Sequence, residues 1–342
     1  MKYLYIVALI FYSFTGAIYS QNLQTAIQQV NQGQFDQALK ILKDLYTKSP
    51  KNKVLPEWLG FTYLRKGDIK DAIPWLKKAV HLNPKSKKMW TDLAYAYMST
   101  HQYKLALTTY QKILTFDPKS APAWYNTGNL HDFFKDYRNA AFAFKKATEL
   151  DPTFAFAYFN LGKAYQQEGN FKEAARVMVK AYELIPEEAL FSKTAAYSYL
   201  RANDRYSALP YYESLESHTL HYGPFLIQLS SLYYDVRRFS DALKLLERFI
   251  NIQAHDSSYW FNLGLVQNQN DLLSKAEFSY KKALELNPHN LMAIQNYAIL
   301  LYRDRKYVEV IPWLRKLIAL YPNVSSWKQM LDTSIGYTKM KG

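Results

Sequence analysis

The chain has no cysteine in its 342 residues, and that absence removes disulfides, thiolate metal sites and cysteine nucleophiles from consideration. It also excludes a lipid-anchored envelope protein, whose leader must be followed by a cysteine. Acidic residues are scarce beside basic ones, 29 against 43, and there are 7 histidines. The histidines are scattered, and none forms HExxH or another metal-ligand spacing on one helix. His218 and His221, three apart, read as a surface pair, and His131 as a core residue. No GxSxG, phosphate loop or GxGxxG occurs, and no carboxylate pair stands apart from the solvated charge. Neither catalysis nor a cofactor is expected. Gly/Ser linkers and long charge runs are missing as well, so nothing cuts the chain into globular domains.

The first twenty residues differ in composition from the rest. Lys2 gives a positive start, Leu4 to Tyr12 an apolar run, and Thr15 to Ser20 a small-residue end before Gln21. That layout predicts a secretory leader cut after Ser20, with the protein periplasmic or secreted. The alternative is an uncleaved membrane anchor. Against it, Ser13, Thr15 and Gly16 interrupt a run that is short for a span of about 20 residues.

What is abundant is apolar and aromatic, 49% and 16% of the chain, which is ample for a buried core. It is also periodic. In the stretch Ala121 to Pro152 the residues Trp124, Gly128, Ala140, Phe144 and Pro152 stand at the spacing of a W..LG..Y, A...F, P pattern. Stepping from Ala140 by 34 residues meets Ala38, Ala72, Ala106, Ala174, Ala208, Ala242 and Ala276, and then Val310. The closing proline follows the same step at Pro50, Pro84, Pro118, Pro186, Pro288 and Pro322, and is replaced at Leu220 and Ala254. A small residue recurs at Ala26, Gly60, Ala94, Gly128, Gly162, Ala196, Ser230, Gly264 and Ala298. Two helices of a hairpin need small residues where their backbones approach, and proline ends the second helix because the residue before it leaves the α region.

This nine-fold register resembles the tetratricopeptide repeat family. The resemblance implies an all-α fold, a right-handed α-solenoid of helical hairpins. Its units fall at 19–52, 53–86, 87–120, 121–154, 155–188, 189–222, 223–256, 257–290 and 291–324. Residues 325–342 are expected to cap it, with Ser326 starting a helix whose stripe is Trp327, Met330, Leu331 and Ile335. The sixth and seventh units lack the proline and are expected to pack more loosely there. Pro74, Pro210 and Pro312 share one position early in the second helix and read as structural.

In this family the first helix of each hairpin lines a concave groove, and the residue two before the small position points inward. Here it reads Gln24, Trp58, Asp92, Asn126, Asn160, Thr194, Gln228, Asn262 and Asn296. Some members hold the backbone of an extended peptide with such asparagines, each amide offering donor and acceptor. The same asparagines are also repeat consensus, as in WYNTG, YFNLG and WFNLG. With neighbouring aromatics, the candidate peptide-binding residues are Asn126, Asn160, Asn262, Asn296, Tyr125, Phe156, Phe159 and Tyr95. Phe133, Tyr197, Tyr234 and Phe261 are further inward aromatics. A second groove type, which clamps a terminal carboxylate, is not matched by Tyr125 with Asn129, Phe159 with Lys163 or Lys193 with Tyr197.

Formal charge is +14. Lys43, Lys77, Lys78, Lys112, Lys145, Lys146, Lys180, Arg248, Lys281, Lys282, Arg315 and Lys316 share two adjacent positions of the second helix. The family places these on the convex side, so a solvated face is expected rather than a nucleic-acid site. Weak contact with an anionic envelope surface fits that charge. The function expected is an exported, non-enzymatic scaffold binding a peptide segment or partner protein. The alternatives are a regulatory or substrate-presenting module of a separate enzyme, or a cationic binder of anionic envelope polymer.

Overall fold

The structure, a computed structural model, describes residues 19–219 and 223–341. Among these residues every regular element is an α-helix. The apolar run Leu4 to Tyr12 lies outside the described residues, and so does His221. No helix of the described residues is long and apolar enough to cross a membrane.

Contacts divide the chain into two lobes, one ending at Ile185 and one beginning at Pro186. The first lobe holds α1 (19–31), α2 (Phe35–Lys48), α3 (Leu55–Lys66), α4 (Ile69–Leu82) and α5 (Lys87–Ser99). It continues through α6 (Tyr103–Phe116), α7 (Ala121–Phe133), α8 (Tyr137–Leu150), α9 (Ala155–Gln167) and α10 (Phe171–Leu184). The second lobe holds α11 (Ala189–Arg201), α12 (Arg205–Thr219), α13 (Gly223–Asp235), α14 (Phe239–Gln253) and α15 (Ser257–Gln269). After it come α16 (Leu273–Leu286), α17 (Leu291–Arg303), α18 (Tyr307–Leu320) and α19 (Ser325–Lys341). Odd helices up to α17 are the first of a hairpin, even helices the second. From α2 onward, within each lobe, a helix packs on its neighbours in sequence, which is the one-dimensional stacking of an all-α solenoid.

The hairpins lock by a knob in a hollow. A Cβ added at Gly60 would stand 2.7 Å from the Leu76 side chain, at Gly128 2.6 Å from Phe144, at Gly162 2.5 Å from Met178 and at Gly264 2.7 Å from Tyr280. The small position of the first helix therefore receives a large side chain sixteen residues on, rather than facing another small residue as the sequence suggested. Leu42, Leu76, Tyr110, Phe144, Met178, Tyr212, Leu246, Tyr280 and Leu314 all occupy this place, and none is more than 8% exposed. Each such burial contributes roughly 1.5–3 kcal/mol.

Where a proline closes the repeat, the second helix stops two residues before it. Asn83 (φ −134°, ψ 76°) and Asp117 (φ −132°, ψ 71°) have left the helical region ahead of Pro84 and Pro118, as the ring's clash requires. The two helices without that proline, α12 and α14, run to 15 residues instead of 14. Ala254, standing at a proline's place, keeps right-handed helical angles. The looser packing expected between the sixth and seventh units centres on 220–222, outside the described residues.

Pro74 and Pro312 are each the sixth residue of their helix, past the first turn in which a missing amide goes unfelt. Each removes one helical hydrogen bond. The last helix begins at Ser325, so Ser326 sits inside its first turn rather than capping it. Trp327 is buried there, and Met330 and Leu331 pack against the second lobe's core.

Candidate functional site

The loops at both ends of the hairpins are built by repeated chemistry. Between the two helices of each hairpin one residue has positive φ: Gly33, Gly67 and Gly169, and at the equivalent places His101, Lys135, Asn203, Arg237, Asp271 and Arg305. The following amide reaches back to close the turn, as from Gln102 to the Tyr97 carbonyl at 2.8 Å and from Asp136 to the His131 carbonyl at 2.9 Å. This is the left-handed helix ending described for such C-terminal motifs. At the opposite end, indoles brace the link between repeats. Trp90 Nε1 donates to the Pro84 carbonyl at 2.8 Å, Trp124 to Pro118 at 2.9 Å and Trp260 to Ala254 at 2.8 Å. Both features fix the pitch at which the first helices present their outward side chains.

On the first lobe that outward face carries Tyr95 and Phe156, about half exposed, with Tyr125 partly buried between Phe144 (5.7 Å) and Phe154 (4.6 Å). Phe159 departs from the expectation of an open contact residue. It is 8% exposed, with the Lys163 ammonium 5.9 Å from its ring, so it forms wall rather than surface. Asn126 is half-buried and its amide already donates to the Pro122 carbonyl at 2.9 Å. Asn160 is committed further: its amide bridges Tyr125 Oη (3.1 Å) and Asn129 Oδ1 (3.0 Å) of the preceding repeat. That amide links two repeats and is engaged within the protein.

Asp92 holds the same position two repeats earlier. One of its carboxylate oxygens is buried without a hydrogen-bond partner. Burial raises its pKa above the ordinary 3.8, the Lys88 ammonium opposes, and Glu57 reinforces. Lys88 itself lies 3.5 Å from Glu57 and 4.7 Å from the Phe61 ring centre. In sequence this carboxylate is only a break in the asparagine series. The charges that act on it come from Lys88 of its own helix and Glu57 of α3.

In the second lobe Asn262 and Asn296 meet in one open cavity of about 370 Å³. Its walls come from the first helices of three successive hairpins: Ser230, Ser231, Tyr234 and Asp235 on α13, Phe261, Asn262, Leu265 and Val266 on α15, Met292 and Asn296 on α17. Asn296 donates to the Met292 carbonyl at 2.8 Å, whereas the Asn262 side chain makes no hydrogen bond among the described residues. Its volume is that of a small-ligand or side-chain pocket. Among the described residues no cluster of three metal-ligating side chains occurs. His131 is mostly buried, its Nδ1 3.1 Å from Asp136 Oδ2.

The second-helix lysines are largely spoken for. Lys146 pairs with Glu149 at 2.7 Å, Lys180 with Glu183 at 2.5 Å, Lys281 with Glu277 at 2.7 Å and Lys282 with Glu285 at 2.6 Å. Lys78 lies 4.8 Å from the Trp75 ring centre. A solvated, internally paired face accounts for them.

Models of the tetratricopeptide repeat match residues 30–77, 63–127, 121–154, 143–176 and 257–290, together more than half of the chain. Among curated proteins, human Protein O-mannosyl-transferase TMTC3 is 30% identical over 89 residues, which are 26% of this chain and 10% of that protein. The chain thus spans about a tenth of the length of the curated relative it matches. A crystal structure of MamA is similar at 29% identity, covering 48% of this chain and 96% of the other, with a TM-score of 0.45. A repeat protein from Parabacteroides merdae is similar at 17% identity over 83% of this chain and 98% of its own, with a TM-score of 0.47.

Proposed function

The chain belongs to the tetratricopeptide repeat family, and from that premise we propose that it is a non-enzymatic, exported scaffold that holds an extended segment of a partner protein. The cavity formed by α13, α15 and α17 carries this reading. It joins apolar wall from Phe261, Leu265 and Met292 to polar groups from Ser231, Asn262 and Asn296. An extended peptide needs that combination, since its backbone requires both donors and acceptors once water is displaced. Asn262 retains its whole amide for a ligand, and Asn296 keeps its side-chain oxygen. On the first lobe Asn126, Tyr125, Phe156 and Tyr95 serve as further contacts, while Asn160 acts there as structural support. Export rests on the composition of residues 1–20 and gives the scaffold an envelope or extracellular partner.

Selection of extended peptides from a displayed library, followed by titration of the selected peptide, tests the reading. Replacing Asn262 and Asn296 together by alanine is expected to weaken binding by about 1–3 kcal/mol, from hydrogen bonds lost in a partly dry site. Replacing Lys281 and Lys282 by glutamine is expected to leave it unchanged. Equal affinity in the asparagine variant removes the cavity from the binding site. A larger loss in the lysine variant transfers binding to the outer face.

A further inference from the structure

Charge is not spread evenly along the solenoid. Residues 19–120 carry 16 lysines and arginines against 7 aspartates and glutamates, while residues 121–341 carry 26 against 22. All but one of the 16 are lysines. Acids in this region are mostly neutralised locally: Asp36, Asp44, Glu57, Asp68 and Asp117 each sit within ion-pair distance of Lys48, Lys66, Lys87 or Lys88. The surplus is therefore carried by other lysines.

Three of these form a row. Lys51, Lys85 and Lys119 each follow the closing proline of a repeat, 34 residues apart, and each is exposed and, among the described residues, without an acidic partner. The loops that present them are held firmly. Pro84 and Pro118 accept from the indoles of Trp90 and Trp124. The third loop is tied by Asn52, whose amide donates to Tyr19 Oη at 2.7 Å. Ser86 and Ser120 then cap the helices that follow. Equivalent loops of stacked hairpins recur on the order of 10 Å apart, the spacing of packed helices, so these lysines recur along one edge of the first three repeats. Further on the pattern stops: the residue after the proline is Thr153, Glu187, His289 and Asn323.

We propose that this edge of the first three repeats docks on the anionic headgroups of a lipid surface. An ammonium is a point charge without the forked geometry that reads a shaped phosphate or a base edge, so a row of lysines responds to charge density. The indoles beside it donate their N–H groups to the loops. The apolar run Leu4 to Tyr12 directly precedes these repeats in sequence. On the proposed export, whether that run is cut or kept, these basic repeats are the first to emerge beside the bilayer. Such docking would hold one edge of the scaffold at a membrane and leave the first-helix face open for its partner.

The full chain is tested by sedimentation with vesicles of phosphatidylcholine alone and of phosphatidylcholine mixed with phosphatidylglycerol, comparing the ratio of the two affinities so that any contribution of the apolar run cancels. The triple variant K51Q/K85Q/K119Q is expected to lose about fivefold of the anionic-lipid preference per lysine, roughly a hundredfold in all. The variant K146Q/K180Q/K282Q, with the same change in net charge but drawn from ion-paired lysines, is expected to keep it within threefold. Equal losses in the two variants reduce the effect to net charge and overturn the proposal. So does a wild-type chain with no preference for the anionic vesicles. A chain that binds a short oligonucleotide more tightly than anionic vesicles, at matched charge concentration, assigns the edge to nucleic acid and overturns it as well.

Discussion

Asp92 stands where Asn126 and Asn160 stand in the next two repeats, yet it has a carboxylate oxygen that is buried and unpartnered. A carboxyl whose folded pKa is raised above its unfolded value binds protons more readily when folded. The cost of its ionised form is then fully present above the folded pKa and is relieved as pH falls through that value toward 3.8. Asp92→Asn is expected to stabilise the chain by about 1 kcal/mol near neutral pH, by removing a partly desolvated charge, the figure discounted for partial exposure. That advantage should shrink as the pH approaches 3.8. Urea unfolding of both proteins at about pH 7 and about pH 4 reads the difference. A gain independent of pH would trace the effect to hydrogen bonding instead of charge. At the same scale the glycines of the first helices are legible in sequence only as small residues. That Gly128 and Gly264 are hollows for Phe144 and Tyr280 follows from the offset of two helices, which no single sequence position carries.

At the scale of elements, the turns between helices are where sequence and backbone disagree most. Among the described residues nine turns have positive φ at one equivalent place, and three of these use glycine. A side chain held there costs roughly 1–2 kcal/mol in steric conflict, partly offset because glycine gains more freedom when unfolded. Lys135→Gly and Arg237→Gly, at φ 60° and 61°, are each expected to stabilise by about 0.5–1 kcal/mol. The reverse change Gly169→Ala, at φ 77°, is expected to destabilise by a similar amount. Thermal unfolding of the three variants checks this, and a loss of stability in the two glycine variants would show that their side chains contribute more than the strain costs. The sequence alone concealed this place, since histidine, lysine and arginine stand at four of the six positions without glycine. Hydrogen-bonded closure of the preceding helix imposes the conformation on whichever residue occupies it.

For the whole molecule, stability is expected to pass only between neighbours. Trp327 of α19 is buried against the second lobe's core, and α19 packs on α18. Trp327→Ala is expected to cost about 2–3 kcal/mol, below the usual range for a buried aromatic because a terminal helix can relax. Hydrogen exchange should accelerate most in α17 and α18, less in α15 and α16, and barely in α13. Uniform acceleration across the second lobe would instead make that lobe a single cooperative body.

Sequence by itself determined the family and the all-α class, because a strict 34-residue step of small, aromatic and proline residues satisfies one local geometry and repeats it. It also located the helix endings that carry proline: the ring's clash with its predecessor is a property of two adjacent residues. Tertiary structure alone decided which inward residues are available. Asn126, Asn160, Asn262 and Asn296 are the same letter at the same register. Yet Asn160 bridges two repeats, Asn126 and Asn296 donate to their own helices, and the Asn262 side chain lines a cavity with no hydrogen bond among the described residues. Phe159 likewise became wall and Phe156 surface. The reason is physical: a side chain's partners belong to neighbouring helices, and what those neighbours offer changes from repeat to repeat while the register does not.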